Sequence, residues 1–300
     1  MRLARFWLVL ALLVSWGWVH AEPPPIAIGF YLPVIRDVPR RDVELSLRFW
    51  VEELGAAVHL TYKPIRFYEN FADLRRDMKS GEINFIVATS MGVVQNFQPD
   101  ELADGFSGLK SQPDHLFLVV RRGSGIRNLT DLPGKRLEIL DRDELSEVYL
   151  ETLLMKAGDK QVKSTLDGSG REKRSVNLVH HLFFGKADAA LIYRNAYEAA
   201  LAMNPQIGQQ LEVLDAYSFK GRSPHIGLFS SRVAPQDTQA ITKGAMNLGS
   251  NARGRQVLDI YDADQMVVTK VQDLEPFREL LAENRALKAA LLTARKKGSK

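Results

Sequence analysis

Thr89 and Ser90 follow an apolar run, Ile83 to Ala88, within the stretch S-G-E-I-N-F-I-V-A-T-S-M-G-V-V-Q from Ser80 to Gln95. Two hydroxyls between a strand and a helix start suit an oxyanion. The first N–H groups of a helix lack internal partners, and the helix dipole favours negative charge there. A second stretch, F-G-K-A-D-A-A-L-I-Y-R-N-A-Y from Phe184 to Tyr197, has the same form and brings Tyr193, Arg194 and Asn195 to the equivalent place. Arg171 and Arg194 are natural partners for a carboxylate or oxyanion, because guanidinium offers two parallel hydrogen bonds. Tyr31 and Tyr68 lie at or just beyond predicted strand ends, and Glu144 and Ser146 sit at a predicted helix start. His225 lies beside a predicted crossing between two lobes, as does His115. Each has a plainer role available: Ser90 and Asn195 as helix caps, the tyrosines as packing at a sheet edge, the arginines as solvated groups, the histidines as structural residues.

These residues must be held by alternating strands and helices. Ile26 to Leu32 reads as a strand, Asp42 to about Leu54 as a helix stopped by Gly55, and Val58 to Ile65 as a second strand. A helix from about Tyr68 to Lys79 turns Phe71, Leu74 and Met78 inward. This β-α-β-α-β-α order argues a parallel sheet covered by helices, with ligands bound at its carboxyl edge. A loop, Gly105 to Pro113, leads into His115 to Arg121, the first crossing. Strands follow at Arg136 to Leu140, Val162 to Leu166, Ala187 to Tyr193 and Leu211 to Leu214. A glycine-rich loop is expected at Asp167 to Arg171 and a helix from about Lys173 to Phe184. His225 to Ser231 is the return crossing, and Asp273 starts a long amphipathic helix. The expected division is a signal peptide at 1–21, a first lobe of 22–115 plus 226–300, and a second lobe of 116–225.

The balance of residues, 45% apolar and 25% charged, is that of a soluble globular protein. The net charge is +4, and from Glu22 onward it is +2. No basic block or helix-turn-helix pattern points to nucleic acid. The N-terminus, M-R-L-A-R-F-W-L-V-L-A-L-L-V-S-W-G-W-V-H-A, has a basic start, a short apolar run and small or apolar residues at Val19 and Ala21. It reads as a secretory signal cleaved after Ala21, the alternative being an uncleaved anchor. With no cysteine there is no disulfide, thiol chemistry or lipid anchor on cysteine. The expected location is the periplasm.

No Ser-His-Asp order, H-E-x-x-H, P-loop or dinucleotide fingerprint is present. His180 and His181 point about 100° apart on a helix and do not converge on one ion. Neither catalytic residue, metal nor cofactor is expected.

Three stretches carry a resemblance: S-G-E-I-N-F-I-V at 80–87, G-S-G-I-R-N-L-T-D-L-P-G-K-R-L at 123–137, and F-F-G-K-A-D-A-A-L-I-Y at 183–193. With the signal peptide and the element order, the chain resembles type II periplasmic solute-binding proteins. Among these it is similar to the phosphate/phosphite/phosphonate-binding (PhnD-like) family of ABC transporter substrate-binding proteins. The resemblance implies a two-lobed α/β fold with a mainly parallel sheet in each lobe. It also implies a monomer that closes over one small polar or anionic solute and is presented to a membrane permease. A periplasmic sensor subunit delivering occupancy to a membrane receptor is the alternative. An enzyme of the thiamine-precursor synthesis type is a third reading, since related folds include such proteins. Where phosphonate-binding relatives carry a Ser/Thr-rich run, this chain has D-R-D-E-L-S-E-V-Y at 141–149. Asp143, Glu144 and Glu147 there would repel a doubly charged phosphonate unless neutralised, and could instead receive an amine.

Overall fold

The computed structural model describes residues 25–35, 38–58, 61–109, 115–250, 252–260 and 263–298. The expected signal peptide, 1–21, lies outside them. In chain order the first part is β1 (Ile28–Tyr31), α1 (Arg40–Val58), β2 (Arg66–Tyr68), α2 (Phe71–Ser80), β3 (Phe85–Thr89), α3 (Ser90–Asn96), β4 (Leu102–Ala103) and β5 (Gly105–Leu109). The middle is β6 (His115–Arg121), β7 (Leu137–Leu140), α4 (Glu144–Lys156), α5 (Val162–Asp167), β8 (Gly170–Glu172), α6 (Ser175–Phe183), β9 (Ala189–Tyr193), α7 (Arg194–Met203), α8 (Gln206–Gln210) and β10 (Leu211–Ser218). The chain then returns through β11 (His225–Ser230), α9 (Pro235–Met246), α10 (Ala252–Ile260), β12 (Gln265–Thr269) and α11 (Glu275–Gly298).

Two five-stranded mixed sheets result, one per lobe, in the orders β2-β1-β3-β11-β4 and β10-β6-β9-β7-β8. Strands β1, β2 and β3 run parallel, as do β7, β8 and β9, while β11 and β6 enter antiparallel. Those two antiparallel strands are the ones that follow the crossings. Strand β6 shows why H-L-F-L-V-V-R is almost continuously apolar. Leu116, Leu118 and Val120 enter one core cluster, whereas Val119 enters the cluster on the opposite face. A strand covered on both faces loses the usual in–out alternation.

Local signals set the strand that leads to Thr89. Asn70 caps α2 by accepting from the Asp73 N–H, and Gly81, at φ 83°, ends it in a left-handed turn. The Asn84 side chain then ties the entry of β3 to the entry of β1, accepting from Ala27 N and donating to the Pro25 carbonyl. Behind the first sheet Phe85 and Phe106 stack at 4.6 Å, with Trp50 and Phe229 beside them. Gly227 in β11 lets β5 cross closely, because a Cβ there would stand 2.1 Å from the Phe106 carbonyl oxygen.

Several expectations require correction. Helix α1 runs through Gly55 to Val58, so the strand expected at Val58 to Ile65 is displaced to Arg66–Tyr68, preceded among the described residues by an isolated Ile26–Tyr62 bridge. One interior glycine costs about 1 kcal/mol and does not by itself stop a helix. Val162 to Leu166 is helical, despite its β-branched residues, because Asp159 captures both the Gln161 N–H and the Thr165 hydroxyl and closes a turn. The strand expected there is supplied instead by Gly170–Glu172, which overlaps the end of the expected glycine loop. Gly105–Leu109, also expected as loop, is a strand paired with β12. The C-terminal helix, expected in the first lobe, packs against α3 of the first lobe and also extends over α4 of the second. Phe277, Leu280 and Leu281 belong to the core of the second lobe, and Asn284 donates to the Val148 carbonyl and to Thr152 Oγ1 on α4.

Candidate functional site

Strands β3 and β9 end in the same way. Thr89 and Tyr193 each occupy the position just before a helix, with φ/ψ of −67°/135° and −64°/139°, and neither side chain caps the helix it precedes. Both hydroxyls turn to one dipeptide, Asp143–Glu144. Thr89 Oγ1 donates to Glu144 Oε2 at 2.8 Å, and Tyr193 donates to the Asp143 carboxylate at 3.1 and 3.2 Å. Tyr31, from the end of β1, donates to Glu144 Oε1 at 2.7 Å. Two hydroxyls of the first lobe thus hold the two oxygens of a second-lobe carboxylate.

Helix α4 presents that carboxylate. Asp143 is its N-cap, accepting from the Ser146 N–H at 3.3 Å and from the Ser146 hydroxyl. Asp143 is 2% exposed. The preceding residue, Arg142, has φ 52°, an unusual left-handed conformation for a side chain of this size. Such conformations cost about 1–3 kcal/mol and gather where a chain is held for function. At the rim Arg142 pairs with Glu69 at 3.3 Å, and Glu69 also pairs with Arg40 at 3.2 Å. Burial pushes the Glu144 carboxyl above the usual glutamate range, and the neighbouring Asp143 charge adds to this. The bonds from Tyr31 and Thr89 oppose the shift without cancelling it. Burial also raises Glu147, against the pull of Arg171.

Of the residues expected to bind ligand, Tyr31, Thr89, Glu144, Ser146 and Tyr193 come together, and His225 pairs with Thr89 across β11 and β3. Directly opposed residues in a sheet share a face. The others are engaged elsewhere. Ser90 is buried, its N–H bonding the Pro224 carbonyl and its hydroxyl the Ser223 carbonyl, both at 2.8 Å. The return crossing therefore fills the place expected for an anion. Tyr68 donates to Asp77 on α2 at 2.8 Å, behind the sheet edge. Arg171 faces Glu147 at 3.4 Å, and Arg194 pairs along its own helix with Glu198 at 2.6 Å. Sequence reasoning gave Asp143 the roles of repelling a dianion or receiving an amine, and not that of a helix cap. Its spacing to Ser146, an acid three residues before a hydroxyl at a helix start, was the available signal.

The profile of the family described as "ABC transporter, phosphonate, periplasmic substrate-binding protein" matches residues 41–274. Among solved structures, PhnD1 from Prochlorococcus marinus in complex with methylphosphonate superposes with a TM-score of 0.64 at 14% identity, over 89% of this chain and 99% of that one. A binding protein component of an ABC phosphonate transporter from Pseudomonas aeruginosa gives 0.60 at 13%, over 93% and 99%. A Xanthomonas citri protein bound to ATP gives 0.65 at 13%, over 88% and 98%. At these identities the structural likenesses speak for the two-lobed fold alone. A search of curated protein sequences finds no match. The match over most of its length makes the chain a member of the phosphonate-type periplasmic substrate-binding proteins of ABC transporters.

Proposed function

We propose that this chain receives one small polar or anionic solute, of the phosphonate, sulfonate or carboxylate kind, between its lobes and delivers it to an ABC permease. The carrying observation is the meeting of Tyr31 and Thr89, from adjacent strand ends of one lobe, with Asp143, Glu144 and Tyr193 of the other. Hydroxyls and carboxylates from both lobes at one point are what a closing cleft needs, since a ligand touching both favours the shut state. PhnD1, of like fold, was solved with methylphosphonate, and the aliphatic sulphonate binding protein of Escherichia coli superposes at 0.53. What those two proteins bind makes an oxyanion the first class of solute to test. Tyr31, Thr89, Glu144, Tyr193 and His225 are the residues we assign to the solute. Tyr68, Ser90, Ser146, Arg171 and Arg194 support them from the lobes. The exported form begins after Ala21 and acts as a monomer.

Native mass spectrometry of protein purified from the periplasm tests for a co-purifying solute, and its intact mass reports cleavage. A thermal-shift panel of methylphosphonate, methanesulfonate, carboxylates, amino acids and amines follows. A solute at a hundredfold its dissociation constant stabilises the fold by about 2.7 kcal/mol. A panel without a shift, together with no retained small molecule, overturns the binding role.

A further inference from the structure

We propose that the Glu144 carboxylate is a built-in occupant of the cleft and sets which solutes enter it. The proposal rests on the reading that solute binds between the lobes. Tyr31 and Thr89 are each 4% exposed. Their strands are adjacent, and each delivers one hydroxyl to one oxygen of the same carboxylate, at 2.7 and 2.8 Å. Two neutral donors converging on two oxygens are the hydrogen bonds that a bound oxyanion would receive. Here the oxyanion is covalently part of the second lobe. Its partners are hydroxyls, and among the described residues it forms no ion pair.

Two consequences follow. The lobes are tied shut without solute, because the contact crosses from one sheet to the helix of the other. An incoming anion must also either take both hydroxyls from Glu144 or sit beside a carboxylate in a site poor in water, where like charges repel far more strongly than in bulk solvent. Above its second ionisation methylphosphonate is a dianion and suffers twice the repulsion of a monoanion such as methanesulfonate. Glu144 therefore acts as a specificity-determining residue against doubly charged solutes. It stands two residues after the left-handed Arg142 and next to the N-cap Asp143.

The test compares the full mature chain with Glu144→Ser, which puts a small hydroxyl in place of the acid, and with Glu144→Gln, which keeps the shape without the charge. Small-angle scattering without solute reads closure, and calorimetric titration reads methylphosphonate and methanesulfonate binding. The expected result is a compact wild type and an expanded Glu144→Ser. Methylphosphonate should bind Glu144→Ser at least tenfold more tightly than wild type and make it compact again, with a smaller gain for methanesulfonate. Glu144→Gln should gain methylphosphonate affinity in the same direction, and it carries the comparison should Glu144→Ser fail to fold. Identical scattering from all three proteins overturns the latch. Wild-type affinity for methylphosphonate equal to that of both variants overturns the specificity role. If the variants open but no protein binds either solute, the latch stands and the solute-binding role proposed above falls.

Discussion

Thr89 and Tyr193 are counterparts: each ends a strand, each stands before a helix in nearly the same backbone conformation, and their hydroxyls reach adjacent carboxylates, Glu144 and Asp143. The two lobes thus aim equivalent positions at a single helix start. That start belongs to the second lobe alone, so the arrangement is symmetric in its donors and one-sided in its acceptors.

Glu144 gives a pH dependence of defined sign. Burial raises its folded-state pKa above the ordinary value of 4.5. Between the two values the folded chain holds the proton more tightly than the unfolded chain, so stability falls as pH rises through that window. Glu147 adds in the same direction. Asp73, Asp131 and Asp188, held below the ordinary value by hydrogen bonds, act in the opposite sense at lower pH, where acid costs stability. The Glu144→Gln variant should show a shallower decline above pH 4.5 in urea midpoints measured across pH.

Asp143→Ala removes a helix cap and the acceptor of the Ser146 and Tyr193 hydroxyls together. Losing a cap costs about 0.5–2 kcal/mol, and an orphaned buried donor about 1–3 kcal/mol. A loss of about 2 kcal/mol or more is expected from urea denaturation. Asp143→Asn keeps an acceptor and should lose less.

Gly227→Ala drives a methyl group into the Phe106 carbonyl, where the backbone has no rotamer to yield. Overpacking costs about 1–3 kcal/mol even where side chains can shift. The variant should melt lower than wild type by several degrees or accumulate as insoluble protein. Gly81→Ala, in open space but at φ 83°, should lose only the smaller cost of a left-handed residue.

Phe277→Ala opens a void between the C-terminal helix and the second lobe, where Phe277 is fully buried against Phe219 and Tyr217. Such truncations cost about 3–5 kcal/mol. The loss should appear in denaturation of the whole chain, and protection of α4 amides in hydrogen exchange should fall with it.

The alternation of strands and helices was legible because buried strands such as Phe85–Thr89 and Ala189–Tyr193 are short apolar runs bounded by glycine turns. What misled were segments decided by contacts that composition does not show. Gly105–Leu109 has the composition of a loop and becomes a strand only because β12, far along the chain, pairs with it. Val162–Asp167 has strand-like residues, yet Asp159 winds it. At the site, strand ends pointed to Tyr31, Thr89 and Tyr193. The use of Ser90 by the Ser223–Pro224 carbonyls could not be read, since it depends on where the return crossing lies. The acidity of Asp143–Glu144 suggested repulsion of a dianion or a seat for an amine, because their hydroxyl partners lie up to 113 residues away.

Neither lobe is made from one continuous piece of chain. The first sheet waits for β11, which is synthesised after the whole second sheet, and the second lobe's interior is sealed by Phe277, Leu280 and Leu281, close to the end. A ribosome therefore releases every residue of both sheets before either hydrophobic interior can be finished. Pairings this distant make folding slow and leave oily surface uncovered in the meantime. Excising residues 116–225 would leave the first core complete but strip Phe277, Leu280 and Leu281 of the interior they seal, whereas a split placed in a surface loop, with both pieces supplied together, keeps every interlock available.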